Sequence, residues 1–354
     1  MQHIRWYRSK IDPKLLRTLM RKSDARAFLQ VVPQLIIYLI TGTIAYICYL
    51  NVTTDFGLLQ IIALTSALFI HGTNASFFGG VATHELGHKT PFESLAWNTT
   101  FIRIFSFLSW FDYTGFRVSH VKHHQSTTHI DYDGEVVLPV GLTWHGIGFF
   151  FSKIFFNPIE IYRILKYTFH AALGDLSRDG FFKAEWLQRA INRNIANESE
   201  IINWSRVLVL GHSILGIIFI ITGNWFLIVI VTFGSFLSSW LVHLCGAPQH
   251  VGLASNTPDF RLCCRTYTCG FLPGFLYWNM QYHIEHHMFP AVPFYNLPRL
   301  HVAIKHDLPD TTHGLLATWK ELIPIMKTQR ENPNYIYIPR LPVNTINYNV
   351  STNP

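Results

Sequence analysis

Residues 207–245 read VLVLGHSILGIIFIITGNWFLIVIVTFGSFLSSWLVHLC and contain no Lys, Arg, Asp or Glu. As one straight helix at about 1.5 Å per residue, this stretch would be about 58 Å long, nearly twice the roughly 30 Å hydrocarbon core of a bilayer. It is therefore too long for a single membrane crossing. A break is available at Gly223-Asn224, where two helix-poor residues interrupt the apolar run. The stretch predicts a hairpin with spans at about 206–223 and 225–245.

A similar uncharged block lies earlier in the chain. Between Val31 and Gly80 the only formally charged residue is Asp55, within the polar sequence NVTTDF (51–56). This block predicts a second hairpin, with spans at about 31–50 and 57–80. Charged residues make up 14% of the 354 residues, well below the roughly 25% of soluble domains. We therefore predict an all-α integral membrane protein with four transmembrane helices in two hairpins, rather than buried core helices of a large soluble protein.

The distribution of basic residues predicts the orientation. Eight of them lie in the first 26 residues: Arg5, Arg8, Lys10, Lys14, Arg17, Arg21, Lys22 and Arg26. Neither hairpin tip contains Lys or Arg, so the positive-inside rule places the N-terminus in the cytoplasm. An even number of spans returns the C-terminus to the same side. The net charge of +7 fits an anionic lipid bilayer better than nucleic acid, because no basic groove with interleaved aromatic residues is visible.

We divide the chain into a basic amphipathic lead-in (1–30), a membrane domain (31–310) and a cytosolic C-terminal tail (311–354). Two apolar segments, 101–111 and 141–156, are shorter than the roughly 20 residues of a membrane-spanning helix and are interpreted as helices in the membrane interface. The five cysteines show no CxxC spacing. They are interpreted as packing residues rather than as disulfides or a thiolate zinc site.

Histidines form three clusters outside the predicted spans, which we assign to a cytosolic helical cap. The clusters are HELGH with His84 and His88, HVKHH with His120, His123 and His124, and HIEHH with His283, His286 and His287. Residues three and four apart lie on one helix face. Eight imidazoles converge if these helices pack together, which is enough for two metal ions. Imidazole suits Fe, Cu, Zn and Ni, so the ligand type alone does not choose the metal.

Two other classes of protein compete with this interpretation. HELGH alone fits a zinc protease, but one zinc ion needs about three protein ligands and leaves the other clusters without a purpose. A metal transporter is expected to carry its ionisable ligands within the spans, whereas these clusters lie outside them. The isolated histidines are not interpreted as ligands: His71, His145, His170, His212, His301, His306 and His313.

The order HxxxH, HxxHH, HxxHH resembles the membrane fatty-acid desaturase and hydroxylase superfamily of non-haem di-iron enzymes. HELGHK is also similar to alkane and xylene hydroxylases, whereas HIEHHMFP is closer to acyl desaturases. The resemblance implies two Fe ions, O2 as co-substrate and oxidation of an unactivated C–H bond in a fatty acyl substrate. Desaturation is the favoured outcome. Hydroxylation of an alkyl or acyl chain, and oxidative decarboxylation of a free fatty acid to a terminal alkene, remain alternatives.

The resemblance also implies a ninth ligand between the second hairpin and the last cluster. His250, in GAPQHVGL, is nominated for it, with His243 as the reserve. Ligating histidines need their second ring nitrogen held by another group. The candidate partners are Asp131, Asp133, Glu135 and Asp259, which could equally be loop acids or partners of Arg261 and Arg265. Glu85 and Glu285 are expected to point away from the ligands into solvent or toward an Arg, and His129 to be solvated or an outer partner.

The electron source is predicted to be external, because the chain has no Gly-rich nucleotide fingerprint and no fused haem or flavin module. Ferredoxin, or cytochrome b5 with its reductase, is the expected donor, and a basic cytosolic face would attract such an acidic carrier. Four arginines are candidates for holding a carboxylate, phosphopantetheine or lipid phosphate of the substrate: Arg103, Arg117, Arg261 and Arg265.

Overall fold

The computed structural model describes residues 4–129, 132–135, 156–180 and 183–342. In these ranges the α-helices are α1 (Pro13–Leu19), α2 (Asp24–Thr54), α3 (Leu58–Ala75), α4 (Thr83–Gly87), α5 (Leu95–Leu108), α6 (Tyr113–Ser126), α7 (Pro158–Ala172), α8 (Ala184–Asn192), α9 (Glu198–Ile221), α10 (Trp240–Gly246), α11 (Phe260–Cys263), α12 (Phe271–Leu276), α13 (His283–Met288), α14 (Leu297–Ile304) and α15 (Leu315–Glu331). Two short strands, β1 (Tyr267–Thr268) and β2 (Thr312–His313), pair in parallel.

Shorter turns of helix connect several of these elements. Two are π-helical, Phe78–Ala82 and Ile228–Thr232. Four are 3₁₀ turns, Gly234–Phe236, Ala247–Gln249, Phe294–Asn296 and Lys305–Asp307. The first π turn joins α3 to α4 through a kink at Gly79 and Gly80, where Gly80 has a φ of 77°. Gly adopts the left-handed backbone conformation without steric strain. The kink therefore redirects the chain from α3 into the first histidine cluster.

Three helices in the described part of the chain are long and apolar enough to cross a membrane. They are Asp24–Thr54, Leu58–Gly87 and Glu198–Ile221, and the second consists of α3 continued through the π turn into α4. Their outer faces expose large aliphatic side chains, for example Leu39 at 66% and Leu210 at 61%. Apolar faces of this extent are typical of surfaces that contact lipid. The molecule is thus mostly helical and a membrane protein, as predicted.

The fourth predicted span, 225–245, is not a continuous helix, so four continuous spans are not confirmed. Its backbone passes through the second π turn and a 3₁₀ turn before α10 begins at Trp240. Side chains of neighbouring elements bond the carbonyls that the broken helix leaves free. The Ile230 carbonyl accepts from His71 Nε2 at 3.1 Å and from the Tyr38 hydroxyl at 3.3 Å. Irregular backbone is tolerated at membrane depth where the protein buries it in this way.

The broken segment also packs unusually close to α3. A Cβ atom on Gly72 would lie 2.5 Å from the backbone nitrogen of Ser238. Such a distance is shorter than any ordinary van der Waals contact, so a side chain at this position would push the two segments apart. His212 on α9 supports the same region, since its Nδ1 accepts from the Thr232 hydroxyl at 3.3 Å while its Nε2 donates to the Phe107 carbonyl at 2.9 Å. The isolated mid-span histidines 71 and 212 are therefore structural, as predicted.

Two helices begin earlier in the sequence than predicted. Helix α2 begins at Asp24, where the Ser23 side chain accepts from the Arg26 N–H, and α9 begins at Glu198 after an Asn197 cap. Each of these helices has a charged first turn before its apolar run, and a search for uncharged residues misses it. The segment 101–111 is largely part of α5, whereas most of 141–156 lies outside the described residues. The division of the chain into three domains stays a prediction.

Among the described residues, the largest buried core lies beside the histidine clusters. It packs Phe77 and Phe105 against Trp278 and Leu300, all fully buried. The Trp278 indole N–H donates to the Gln34 side-chain oxygen on α2 at 2.8 Å, which satisfies a polar group that would otherwise be unpaired in the core. This core fixes α2, α5 and α14 around the short helices that carry the histidines.

A buried ion-pair network closes the same side of the molecule. Arg261, with no exposed surface, donates to Asp259 Oδ2 at 2.7 Å and to Asp307 Oδ1 at 2.8 Å. Its guanidinium lies 3.7 Å from the centre of the Tyr7 ring, and the Tyr7 hydroxyl donates to Asp307 at 2.7 Å. The network therefore joins the N-terminal segment to the chain on both sides of the third histidine cluster.

Candidate metal centre

The structure brings all nine predicted histidines together in two adjacent groups. The five-histidine group consists of His84, His88, His120, His124 and His286. The four-histidine group consists of His123, His250, His283 and His287. Within each group one nitrogen of every ring lies within 4.8 Å of the corresponding nitrogen of every other ring. His243 and His129 belong to neither group, and His243 instead bonds the Ser239 carbonyl.

Helix geometry explains how the clusters divide between the groups. At about 100° per residue, the side chain at i+4 lies about 40° to one side of residue i and the side chain at i+3 lies about 60° to the other side, so two neighbours of the same residue diverge from each other. On α6, His120 and His124 therefore share the five-histidine group, and His123 joins the other. On α13, His283 and His287 share the four-histidine group. Both HxxHH clusters thus contribute to both groups.

The Nε2 atoms converge at very short distances. In the five-histidine group, His84 Nε2 lies 2.8 Å from His286 Nε2, and His120 Nε2 lies 2.9 Å from Nε2 of both His88 and His124. In the other group, His283 Nε2 lies 3.0 Å from His250 Nε2 and 3.1 Å from His287 Nε2. Two nitrogens bound at right angles to one ion, each at about 2.1 Å, are about 3.0 Å apart. The spacing fits shared cations.

The outward-facing nitrogens show which atoms carry hydrogen. His250 Nδ1 contacts the Cys263 carbonyl at 2.8 Å, and a carbonyl can only accept, so Nδ1 is the protonated atom. The Thr127 hydroxyl donates to the His123 carbonyl and therefore accepts from His287 Nδ1 at 3.1 Å. Both rings are left with an Nε2 lone pair directed into the four-histidine group. Lone pairs that face each other in a buried space repel unless a cation or a hydrogen-bond donor lies between them, so these two atoms are available to bind a metal ion.

Two predicted carboxylates hold further ligand rings in place. Asp133 Oδ2 lies 2.8 Å from His123 Nδ1 and accepts the Thr128 N–H at 2.8 Å. Glu135 Oε2 lies 3.2 Å from His120 Nδ1. Of the other two candidates, Asp259 pairs with Arg261 instead, and position 131 lies outside the described residues. Carboxylates behind ligating histidines fix the ring orientation and raise the basicity of the ligand.

The prediction for Glu85 and Glu285 was wrong, because both are fully buried. Glu85 Oε1 lies 3.4 Å from His286 Nδ1 and 3.9 Å from His84 Nε2. Glu285 accepts from the Thr266 hydroxyl at 2.6 Å and pairs with His301 on α14. Helix periodicity placed both acids away from the ligand face but could not show that other helices cover that side. The sequence signal for their burial was the position of each acid between two histidines of the same cluster.

Burial keeps most of the rings neutral, which is the form that binds metal. For His250, burial together with the nearby His123 lowers the pKa to about 4. Burial likewise lowers the pKa of His88 to about 4. His123 differs, because the carboxylates of Asp133 and Glu135 outweigh the effect of burial and raise its pKa. Burial raises the pKa of Glu135 itself to about 7.

The predicted arginine anchors divide into two pairs. Arg261 and Arg265 are buried and bond other parts of the chain, Arg265 through the carbonyls of Pro248 and Val251. They cannot reach a substrate head group, so this prediction was wrong for both. Arg103 and Arg117 line a cavity of about 810 Å³ beside α4. Arg117 is paired there with Glu200 at 3.2 Å.

The remaining predictions about isolated side chains agree with the structure where it describes them. His170, His301, His306 and His313 lie outside both groups, and position 145 is not among the described residues. All five cysteines are free thiols. A larger cavity of about 1100 Å³ borders the candidate metal centre, and its wall includes His88, His124 and His287, which represent both groups.

The comparison with known families agrees with this geometry. The fatty acid desaturase family model matches residues 56–319, well over half of the chain. The matched segment contains all nine histidines and the carboxylates that contact them. No curated protein matches the chain.

Proposed function

Because the chain belongs to the fatty acid desaturase family, we propose that it is a membrane oxidoreductase that uses O2 to oxidise an unactivated C–H bond of a fatty acyl chain. Desaturation is the favoured outcome, with hydroxylation and oxidative decarboxylation to a terminal alkene as alternatives of the same chemistry. The observation that carries the proposal is the pair of histidine groups, which supplies nine nitrogen donors in two adjacent sets.

We propose that each group holds one iron ion. Neutral imidazole is a suitable ligand for iron, and the fixed Nδ1–H tautomers of His250 and His287 leave the Nε2 atoms available. When bound, two redox-active irons supply the O2-dependent removal of hydrogen from unactivated carbon, which acid and base side chains cannot perform. The two sites adjoin, since the rings of His124 and His287, one from each group, lie 4.3 Å apart.

The chain's own residues hold the ligands in place and admit the substrate. Asp133 and Glu135 fix the rings of His123 and His120 from behind. Glu285 ties the six-residue helix α13 to Thr266 and His301, so the short helix cannot rotate its three ligands away. The cavity of about 1100 Å³ gives an acyl chain access to both groups. Small displacements of the reacting carbon decide the branch of the reaction.

The zinc protease fits this site poorly. In that mechanism the Glu of HExxH activates water beside a single zinc ion, whereas Glu85 is fully buried behind His286. A second group of four histidines would also have no purpose.

We propose in addition that both termini and the site face the cytoplasm, and that ferredoxin or cytochrome b5 with its reductase supplies electrons.

The test is metal analysis combined with product analysis. Purified protein should contain about two Fe per chain. Given a reductase system, O2 and acyl chains as free acids, thioesters or phospholipids, it should form an oxidised chain detectable by mass spectrometry. A new double bond, an alcohol or a terminal alkene identifies the branch. One Zn per chain, or no oxidation of any acyl chain by the fully iron-loaded protein, would contradict the proposal.

Replacing Glu85 with Gln should weaken iron binding in the five-histidine group by about 10- to 100-fold, the usual effect of losing an outer carboxylate. The amide keeps the shape of the buried side chain but removes the acid group, whose Oε1 lies 3.4 Å from His286 Nδ1. Iron affinity is measured by competition with a chelator. The control is Glu331→Gln, since Glu331 is exposed at the end of α15. Equal iron retention by the Glu85→Gln and Glu331→Gln proteins would exclude this role for Glu85.

A further inference from the structure

Eight of the nine histidines lie on helices or directly at a helix end, whereas His250 lies in a loop. The eight belong to α4 and the residue that follows it, to α6 and to α13. His250 instead follows the 3₁₀ turn Ala247–Gln249, and Gly252, two residues later, has a φ of 80°. A loop holds a ligand less precisely than a helix does. Contacts from outside the loop are therefore needed to hold His250 against the four-histidine group.

Arg265 supplies the first of these contacts. Its Nη1 donates to the Pro248 carbonyl and, at 3.1 Å, to the Val251 carbonyl, so its two bonds lie on either side of His250 along the chain. The Arg265 backbone N–H donates to the Gln249 carbonyl at 2.8 Å. Arg265 is only 7% exposed, and an Arg is rarely buried unless it is paired. Here the carbonyls of the ligand loop serve as its acceptors.

The same short segment also bonds the histidine ring. The Cys263 carbonyl, two residues before Arg265, accepts from His250 Nδ1 at 2.8 Å. Residues 263–265 thus bond both the ring of His250 and the backbone around it. If the loop moved relative to this segment, the bond to Nδ1 would break and Nε2 would turn away from His283 Nε2, which lies 3.0 Å from it.

A second set of contacts comes from the C-terminal part of the chain. The Tyr337 N–H donates to the Gly252 carbonyl at 2.7 Å, and the centre of the Tyr337 ring lies 6.0 Å from the Arg265 guanidinium. Ile325 on α15 packs so closely on the loop that a Cβ atom on Gly252 would lie 2.3 Å from it. The segment after α15 is therefore packed onto both the ligand loop and Arg265.

Fold stability alone does not account for a buried Arg at this position. Burying a charge is costly, and an apolar side chain would fill the same space. A guanidinium differs from an apolar group in offering several donors in a rigid plane, so one side chain can bond two carbonyls of one loop. Such an arrangement suits a loop whose exact position matters.

We propose that Arg265, supported by the Tyr337 segment, is the positioning residue for His250 and thereby sets the iron affinity of the four-histidine group. It acts through His250 and contacts neither iron nor substrate. The inference rests on the proposed function only in assuming that this group binds iron. Losing an outer partner of a ligating histidine usually weakens metal binding about 10- to 100-fold. We expect this loss in the four-histidine group alone.

Anaerobic titration with Fe(II) in two variant backgrounds separates the groups. His286→Ala leaves the four-histidine group complete, and His123→Ala leaves the five-histidine group complete. Adding Arg265→Met should weaken the remaining iron site at least about tenfold in the His286→Ala protein and leave it unchanged in the His123→Ala protein. Arg265→Lys keeps the charge and one donor group and should recover part of the affinity. A general loss of stability would weaken both sites instead.

Tyr337→Pro is a second variant, which remains informative if Arg265→Met does not fold. It removes the N–H that donates to the Gly252 carbonyl, and it should weaken the same iron site in the same direction. The matched control is Arg206→Met, because Arg206 is exposed and donates to a carbonyl on α7, that of Ala172, at 2.9 Å. It should leave both sites unchanged.

Hydrogen exchange in the metal-free protein gives a readout without iron. A peptide that contains residues 248–252 should exchange faster in Arg265→Met than in the wild-type or Arg206→Met protein, whereas α13 should not change. Equal weakening in both backgrounds, no weakening in the His286→Ala background, or unchanged exchange of the loop would overturn the inference. Wild-type protein that holds two irons but oxidises no acyl chain would instead count against the proposed function.

Discussion

His286→Ala and His123→Ala are each expected to lose about one of the two irons and to lower turnover by more than about 100-fold, beyond the range for outer partners of a metal ligand. His286 is the one residue of the third cluster in the five-histidine group, and its Nε2 lies 2.8 Å from His84 Nε2. His123 is the one residue of the second cluster in the other group. Each variant therefore removes the one ligand that a cluster contributes to one group and leaves the ligands of the other group in place.

The measurement pairs iron content per chain with product formation for both variants. His306→Ala is the control, because His306 is exposed and lies in neither group. It should keep two irons and full turnover. The two ligand variants should also lose the spectroscopic signature of coupled irons while retaining a single-iron signal. If either variant kept two irons and wild-type turnover, the assignment of that group as a metal site would be wrong.

The spacing of the histidines within each cluster predicts more about the site than the number of histidines does. The spacing i, i+3, i+4 already determines which two histidines of an HxxHH cluster share a face, and the structure divides His283 and His287 from His286 accordingly. The spacing does not show which histidines of the other helices each face meets. Only the packing of α4 against α6 and α13 brings His84, His120 and His286 together.

The fourth span shows why hydropathy alone was insufficient. Hydropathy measures the transfer of side chains and does not show whether backbone groups find partners elsewhere in the fold. The segment 232–239 contains Thr, Gly and three Ser residues, and side chains far away in sequence bond its carbonyls. Trp110, for example, donates to the Thr232 carbonyl at 2.8 Å. The mid-span Tyr38 and His71 were the sequence signal that something polar lay opposite them.

Arg261 shows the same limit for charged residues. Its position near the third cluster suggested a substrate anchor, because an Arg close to a predicted site is expected to be exposed. The bonds to Asp259 and Asp307 bury it instead, and position 307 is too far along the chain for spacing to reveal the pair. The cavity of about 1100 Å³ owes part of its positive charge to Arg189 and Arg193. Only the packing of α8 brings these two residues near the histidines.

Replacing Arg261 with Met should destabilise the protein by about 3–5 kcal/mol, the usual effect of removing one partner from a buried ion pair. Met keeps much of the side-chain length but leaves two buried carboxylates, Asp259 and Asp307, without their cation. The Tyr7 ring also loses its contact with the guanidinium. We therefore expect a melting temperature lower by several degrees in detergent and faster tryptic cleavage at Arg5 and Arg8.

Arg178→Met is the control, because it removes an Arg from an ion pair that is exposed rather than buried. Arg178 pairs with Asp175 at 3.5 Å on the surface, where both side chains are substantially exposed, and such pairs contribute about 0–1 kcal/mol. Adding Asp259→Asn and Asp307→Asn to Arg261→Met should recover part of the stability, because the unpaired charges are then removed as well. If Arg261→Met melts no lower than Arg178→Met, the network does not hold the N-terminal segment against the histidine groups. Other contacts of that segment then hold it, such as the stacking of Trp6 on Phe260 and the bond from the Tyr7 N–H to the Pro258 carbonyl at 2.9 Å.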